Sequence, residues 1–133
     1  EKTWTKLADI IIDSYEYSLL GADWCKLNED ELLVIGGFDK DVWKDAVFNL
    51  TTLQGEDHAK YRDAYFRRPV GDYKWNKKEL VYNLKENHWY QLGEIPFEAP
   101  CGHALLATNN NIYSIMGEIK PAERKPYIHR TKK

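Results

Sequence analysis

Gly21-Ala22-Asp23-Trp24-Cys25-Lys26-Leu27-Asn28, running through Glu29-Asp30 into Glu31-Leu32-Leu33-Val34-Ile35-Gly36-Gly37, has a second copy in the same chain. That copy is Gly102-His103-Ala104-Leu105-Leu106-Ala107-Thr108-Asn109, running through Asn110 into Asn111-Ile112-Tyr113-Ser114-Ile115-Met116-Gly117-Glu118. In both copies the outer glycines, Gly21 to Gly36 and Gly102 to Gly117, stand 15 residues apart. Self-similarity at fixed spacing marks a repeat architecture and decides a fold more firmly than single-residue propensity does. Each copy reads as a β-hairpin: a strand, a polar turn, then an apolar strand that stops at glycine.

Working outward, Trp4-Thr5-Lys6-Leu7 and Trp89-Tyr90-Gln91-Leu92 repeat a Trp and a Leu three residues apart ahead of each hairpin. Glu79-Leu80-Val81-Tyr82-Asn83-Leu84 supplies one more strand before the polar turn Lys85-Glu86-Asn87-His88. The unit is therefore four strands. Residues 1–10 read as the outer strand of a preceding unit, 21–92 as a complete unit, and 102–133 as a partial following unit whose last strand is Tyr127-Ile128-His129-Arg130. The copies begin 81 residues apart, at Gly21 and Gly102, against about 50 for a repeat of this kind. About 30 residues are thus inserted, and 49–78 is the segment with breakers and charges in place of alternation. Within it Ala59 to Phe66 can form a short helix. Long insertions on one rim of a repeat protein commonly build its binding face, and a plain surface loop is the other reading.

Composition agrees with an all-β chain and excludes several functions. Five Trp and nine Tyr favour half-buried pleated surfaces. A net charge of -2 offers no uniform basic field, so nucleic acid and anionic membrane are not expected partners. No run approaches the roughly 20 apolar residues of a membrane span, and Glu1-Lys2-Thr3-Trp4 lacks the character of a signal peptide. Cys25 and Cys101 are too few for a disulfide framework and share no ligand spacing with His58, His88, His103 and His129, so no metal site is expected.

The double glycine after Leu33-Val34-Ile35, followed by Tyr82 and Trp89, is the signature of a kelch blade. A longer pattern adds Asp63-Ala64-Tyr65-Phe66, Asp72-Tyr73, Asn76, Gly93-Glu94-Ile95-Pro96, and Gly117-Glu118-Ile119-Lys120-Pro121 with Arg124. From about Val34 to Ile128 the chain resembles the N-acetylneuraminate epimerase (sialic acid mutarotase) family and the related cyclically permuted mutarotases. The resemblance implies a kelch-type β-propeller portion, about two four-stranded blades of a six-bladed ring. It also implies anomeric mutarotation of a sialic-acid-type sugar without metal or cofactor, and a periplasmic location. The remaining blades of a longer propeller, or copies of the chain itself, are the expected protein partners. Ala122 stands where the family's turn carries glycine.

Glu118 occupies the place of Gly37 in the repeat, and a long carboxylate where the repeat calls for glycine is a local rule violation of the kind found at functional sites. The resemblance makes it the catalytic base. Arg124, six residues on, is the catalytic cation, able to fork onto a carboxylate or onto charge developing at the ring. Lys120 and Asn76 are the implied substrate-binding residues. The plainer reading of Glu118 is a solvated strand end, and that of Lys120 and Arg124 is a solvated basic tail. His103 aligns with Ala22 and reads as a satisfied core residue, the two cysteines as small hydrophobes, and Trp24, Trp43 and Trp75 as inter-blade packing more than sugar platforms. Asn49-Leu50-Thr51 fits a glycosylation sequon. The competing function is a non-catalytic kelch module that binds proteins or carbohydrate. A glycoside hydrolase comes third, because it needs a second carboxylate.

Overall fold

In the computed structural model, which describes residues 2–133, the chain enters through a short hairpin of β1 (Ile11–Ile12) and β2 (Tyr15–Glu16). Strands β3 (Asp23–Lys26) and β4 (Glu31–Ile35) follow, then helices α1 (Lys40–Thr52) and α2 (Gly55–Arg67), a 3-10 turn (Val70–Tyr73), and strands β5 (Lys78–Asn83) and β6 (His88–Glu94). The second half contains β7 (Ala104–Ala107), β8 (Asn111–Ile115), β9 (Glu118–Lys120), β10 (Glu123–Arg124) and β11 (Ile128–Lys132). Two antiparallel sheets result, one of four strands in the order β3-β4-β5-β6 and one of three in the order β11-β8-β7. Two further sheets are two-stranded, β1 with β2 and β9 with β10.

The core lies between the two larger sheets. Leu33 and Ile35 of β4, Val81 of β5 and Ile95 meet Leu105 of β7 and Ile112 of β8, all buried. Leu80 and Val81 are wholly sequestered because β5 is covered on both faces, and each such side chain contributes about 1.5–3 kcal/mol through burial. Strands β3 and β7 lie side by side, and the Asp23 carboxylate accepts the Leu105 N–H at 2.8 Å. Gly37 N–H donates to the Pro100 carbonyl and Gly102 N–H to that of Gly21, at 3.0 and 2.9 Å. These bonds join the corners of the two sheets.

Antiparallel order sorts the connections onto two rims. One rim carries the tight turns at 27–30, 84–87 and 108–110. The other carries every elaborate segment: 36–77 with its helices, 95–103, and 116–127 with the β9–β10 hairpin. The helical insertion and that hairpin thus occupy the same connection, second strand to third, in adjacent blades.

Three sequence expectations need correction. Residues 2–10 form no strand, since a strand exists through its ladder and these residues find no ladder partner; residue 1 lies outside the described residues. Instead Ala8 N–H donates to Asn87 Oδ1 at 2.8 Å, Trp89 Nε1 donates to the Ala8 carbonyl at 3.0 Å, and Trp4 is fully exposed. The insertion does not begin at residue 49, for helix already starts at Lys40, where the Asp39 carboxylate caps the N–H groups of Asp41 and Val42 at 3.0 and 2.9 Å. The short helix expected at 59–66 lies within the longer α2. Trp43 and Trp75 do not pack blade against blade: they flank Phe38 at centroid distances of 4.8 and 5.1 Å. Tyr73 and Tyr65 continue this aromatic stack into α2, so the rings fasten the insertion to the first sheet. Trp24 stands more than half exposed on β3.

Gly36 has φ +76°, and a Cβ there would collide with the Pro100 carbonyl oxygen and stand 2.7 Å from His103 Cε1. Left-handed strain and overpacking therefore act together at one position. Gly36→Ala is expected to lower stability by about 2–4 kcal/mol. Denaturant unfolding checks this, and a loss under about 1 kcal/mol, the size of an ordinary mutation, would mean that the junction yields easily.

Candidate active site on the elaborated rim

Glu118 opens β9 immediately after Met116 and Gly117, both in the left-handed region at φ +58° and +98°. This double reversal swings the chain out of β8. Glu118 then bonds back to the preceding connection, exchanging N–H and carbonyl with Cys101 at 2.9 Å each way. Arg124 sits opposite it on β10, with Nε 3.3 Å from Glu118 Oε1. The carboxylate is largely covered, at 27% side-chain exposure, whereas the guanidinium reaches solvent at 85%. Ala122 adopts φ +67° in the turn between them, so the turn survives the replacement of glycine.

Lys120 belongs to the same hairpin but points toward the insertion. Its Nζ donates to the Arg68 carbonyl at 2.7 Å and lies 5.7 Å from the centre of the Tyr73 ring. Asn76 is buried, and its bonds run elsewhere: its amide clamps the N–H and carbonyl of Lys78, both at 3.0 Å, and its own N–H donates to the Gly37 carbonyl. Glu118, Arg124 and Lys120 are thus brought together on one hairpin, while Asn76 is a structural clamp at the entry to β5.

Two clefts flank Ile119, the central residue of β9. One, of about 200 Å³, is lined by Phe97, Glu98, Met116, Lys125, Tyr127 and His129, with Phe97 stacked on His129. The other, of about 160 Å³, is lined by Val70, Lys74, Trp75, Lys77, Glu98 and Ile119. Behind the 74–77 segment lies a larger cleft of about 520 Å³ that includes Tyr15, Asp39 and Asp41. Sequence reasoning missed this group, since Tyr15 lies on a hairpin with no counterpart in the repeat. The Tyr15 hydroxyl donates to Asp39 at 2.9 Å and contacts Asp41 at 3.3 Å, and burial followed by the Asp39 bond pushes its pKa up.

Among the described residues no cluster of His, Cys, Asp and Glu could hold a metal ion. Cys25 and Cys101 are free and buried, and burial, with Glu118 nearby, pushes the Cys101 thiol up to about 11. The expectation of a satisfied His103 is corrected: the imidazole is buried, but neither ring nitrogen reaches a protein partner. The ring lies against Gly36, beside the Pro100 carbonyl, while Gly117 packs on the Cβ and backbone N of His103.

Fold and rim together define a segment of a kelch-type β-propeller whose elaborated rim carries a carboxylate–guanidinium pair. The sequence profile of the N-acetylneuraminate epimerase family matches residues 1–132, and the chain belongs to that family. It is 33% identical over 132 residues to the N-acetylneuraminate epimerase of Salmonella arizonae, covering 98% of this chain and 33% of that protein. A kelch domain-containing protein of Vibrio cholerae is 31% identical over 109 residues, covering 79% of this chain and 31% of that protein. The solved structure of YjhT superposes with a TM-score of 0.77 at 23% identity, over 84% of this chain and 33% of that one, which shows the shared fold. The chain spans about a third of the length of the curated relatives it matches.

Burial lowers the His103 pKa, with Asp23 opposing. A histidine that resists protonation when folded contributes stability that is full above its unfolded pKa of 6.5 and is lost as pH falls through the folded value. Stability should therefore decline as pH drops below 6.5, and His103→Leu should flatten that slope. Denaturant midpoints measured from pH 7.5 to 5 test this, and an unchanged slope in the variant would assign the acid sensitivity to other groups.

Proposed function

We propose that this chain carries the catalytic hairpin of a sialic acid mutarotase, with Glu118 as general base and Arg124 as its cationic partner. The observation that supports this most is the Glu118–Arg124 pair on a hairpin that replaces, in the second blade, the glycine corner of the first. Family membership supplies the sugar: the relatives are named for N-acetylneuraminate. The periplasmic location is proposed on the same resemblance.

Mutarotation needs a proton to leave the anomeric hydroxyl while the bond from anomeric carbon to ring oxygen breaks, and a proton to reach that oxygen. Glu118 takes the first proton, and the ring oxygen becomes a hydroxyl by accepting one from the protonated Glu118 or from water. Rotation of the freed carbonyl and reversal of the steps closes the ring on the other face. The Arg124 guanidinium stabilises negative charge on the ring oxygen as the bond opens. Positioned acid–base catalysis contributes roughly 10²- to 10⁴-fold, which suits a reaction that already proceeds in water.

Glu118→Gln keeps the shape and removes the basic lone pair, so α/β exchange of N-acetylneuraminate, followed by NMR, should fall about 100-fold or more with an unchanged melting temperature. Exchange at the wild-type rate would overturn the base assignment. Arg124→Lys retains charge without the planar fork, and about a ten-fold slower exchange is expected. Full activity in that variant would reduce Arg124 to a solvated surface group.

A further inference from the structure

We propose that Lys120 is a positioning residue, which fastens the Glu118–Arg124 hairpin to the C-terminus of α2 and so lets the helical insertion hold the catalytic pair in place. This rests on the mutarotase reading above and assigns to Lys120 a role other than contact with the sugar.

The hairpin has few fastenings of its own. Strand β10 pairs only with β9, so neither strand belongs to one of the larger sheets. The register sets Glu118 opposite Arg124 and Lys120 opposite Glu123, which puts the reactive pair at the root of the hairpin and Lys120 beside its turn. The root is held by backbone bonds, Glu118 with Cys101 at 2.9 Å each way and Lys125 N–H to the Gly117 carbonyl at 3.0 Å. Between root and turn, Ile119 is half-buried with a cleft on either side of it. At the turn end, the hydrogen bond that leaves the hairpin for the rest of the chain is that of Lys120 Nζ to the Arg68 carbonyl, at 2.7 Å.

That acceptor suits an ammonium. Helix α2 ends at Arg67 and Arg68 is its C-cap, where carbonyls lack partners within the helix and the macrodipole is negative. A cation placed there satisfies an orphan acceptor and gains from the dipole in one contact. The nearby Tyr65 carbonyl accepts instead from the Tyr73 hydroxyl and the Arg68 N–H. Tyr73 is buried, and the centre of its ring lies 5.7 Å from the same ammonium, a cation–π distance. Arg68 is itself held on α2, its guanidinium 5.3 Å from the Tyr65 ring and 6.0 Å from that of Tyr61. Lys120 therefore grips a helix end that is fixed independently of it. Released from that grip, the hairpin keeps its root bonds while its turn end swings, and catalysis is sensitive to misplacements of about 1 Å.

The test uses the natural polypeptide that carries this chain, as wild type, Lys120→Met and Lys120→Arg. The sugars are N-acetylneuraminate and its methyl ester, which keeps the ring and removes the charge. In Lys120→Met the kcat of α/β exchange, followed by NMR, should fall about ten-fold or more on both sugars, with KM within about two-fold. Lys120→Arg can still donate to the carbonyl and stack on Tyr73, and should keep kcat within about three-fold. Hydrogen exchange adds a readout that needs no activity. The Glu118 and Lys125 amides should exchange about ten-fold faster in Lys120→Met, the scale of one lost charge-assisted bond, while the amides of β7 and β8 keep their protection. A raised KM on the acid that spares the ester would make Lys120 a substrate contact and overturn the inference. So would a wild-type kcat in Lys120→Met, unchanged protection of the hairpin, or loosening shared equally by β7 and β8. If the wild type exchanges neither sugar, the mutarotase reading fails separately, and hydrogen exchange still decides whether Lys120 holds the hairpin. Should Lys120→Met fail to fold, Lys120→Gln removes the charge, keeps a polar side chain and gives the same comparisons.

Discussion

The bonds from Leu105 N–H into the Asp23 carboxylate and from Gly37 N–H to the Pro100 carbonyl, at 2.8 and 3.0 Å, hold the two sheets corner to corner. Their approach is close enough to leave no room for a Cβ at Gly36. Everything on the elaborated rim depends on this junction. The 95–103 connection passes beside Gly37 and goes on to exchange backbone bonds between Cys101 and Glu118, so the position of the carboxylate follows from how the blades meet. His103 is confined by the same closeness, and the cost of its unpartnered imidazole is carried by the apolar burial around it.

From that junction the insertion is positioned in two ways. Aromatic rings from Phe38 through Trp75 and Tyr73 to Tyr65 carry it on the first sheet. Lys120, through the Arg68 carbonyl, ties it to the hairpin of the second. The β9–β10 hairpin and the helices are consequently joined directly, although 52 residues separate Lys120 from Arg68.

The strands were legible where the sequence repeats itself. The two copies located β3–β4 and β7–β8 because alternation, polar turn and terminal glycine recur together, and Tyr82 and Trp89 marked β5 and β6. Helix α1 does carry a helical stripe, Trp43, Ala46, Val47 and Leu50 at i, i+3, i+4 and i+7, but it is short, buries only Ala46 fully and lies outside the repeat, so the strand pattern on either side obscured it. Glu118 stood out as a carboxylate in a glycine's place. Arg124 was visible only as a spacing of six, since the hairpin register that pairs the two is a tertiary fact. Asn76 entered as a substrate-binding residue through the resemblance alone; that its amide bonds the Lys78 backbone is a local contact that the sequence pattern does not display.

The same slot, second strand to third, holds residues 36–77 in one blade and 116–127 in the next. Loop-closure entropy rises only with the logarithm of length, so a connection more than three times longer costs roughly 1 kcal/mol extra as a flexible chain. The ladder on either side is untouched, because the first two strands are already paired before the slot begins. Duplicated blades can therefore diverge freely at this position, one acquiring a reactive side chain and its neighbour a scaffold of helices, while the ring that both belong to stays in register.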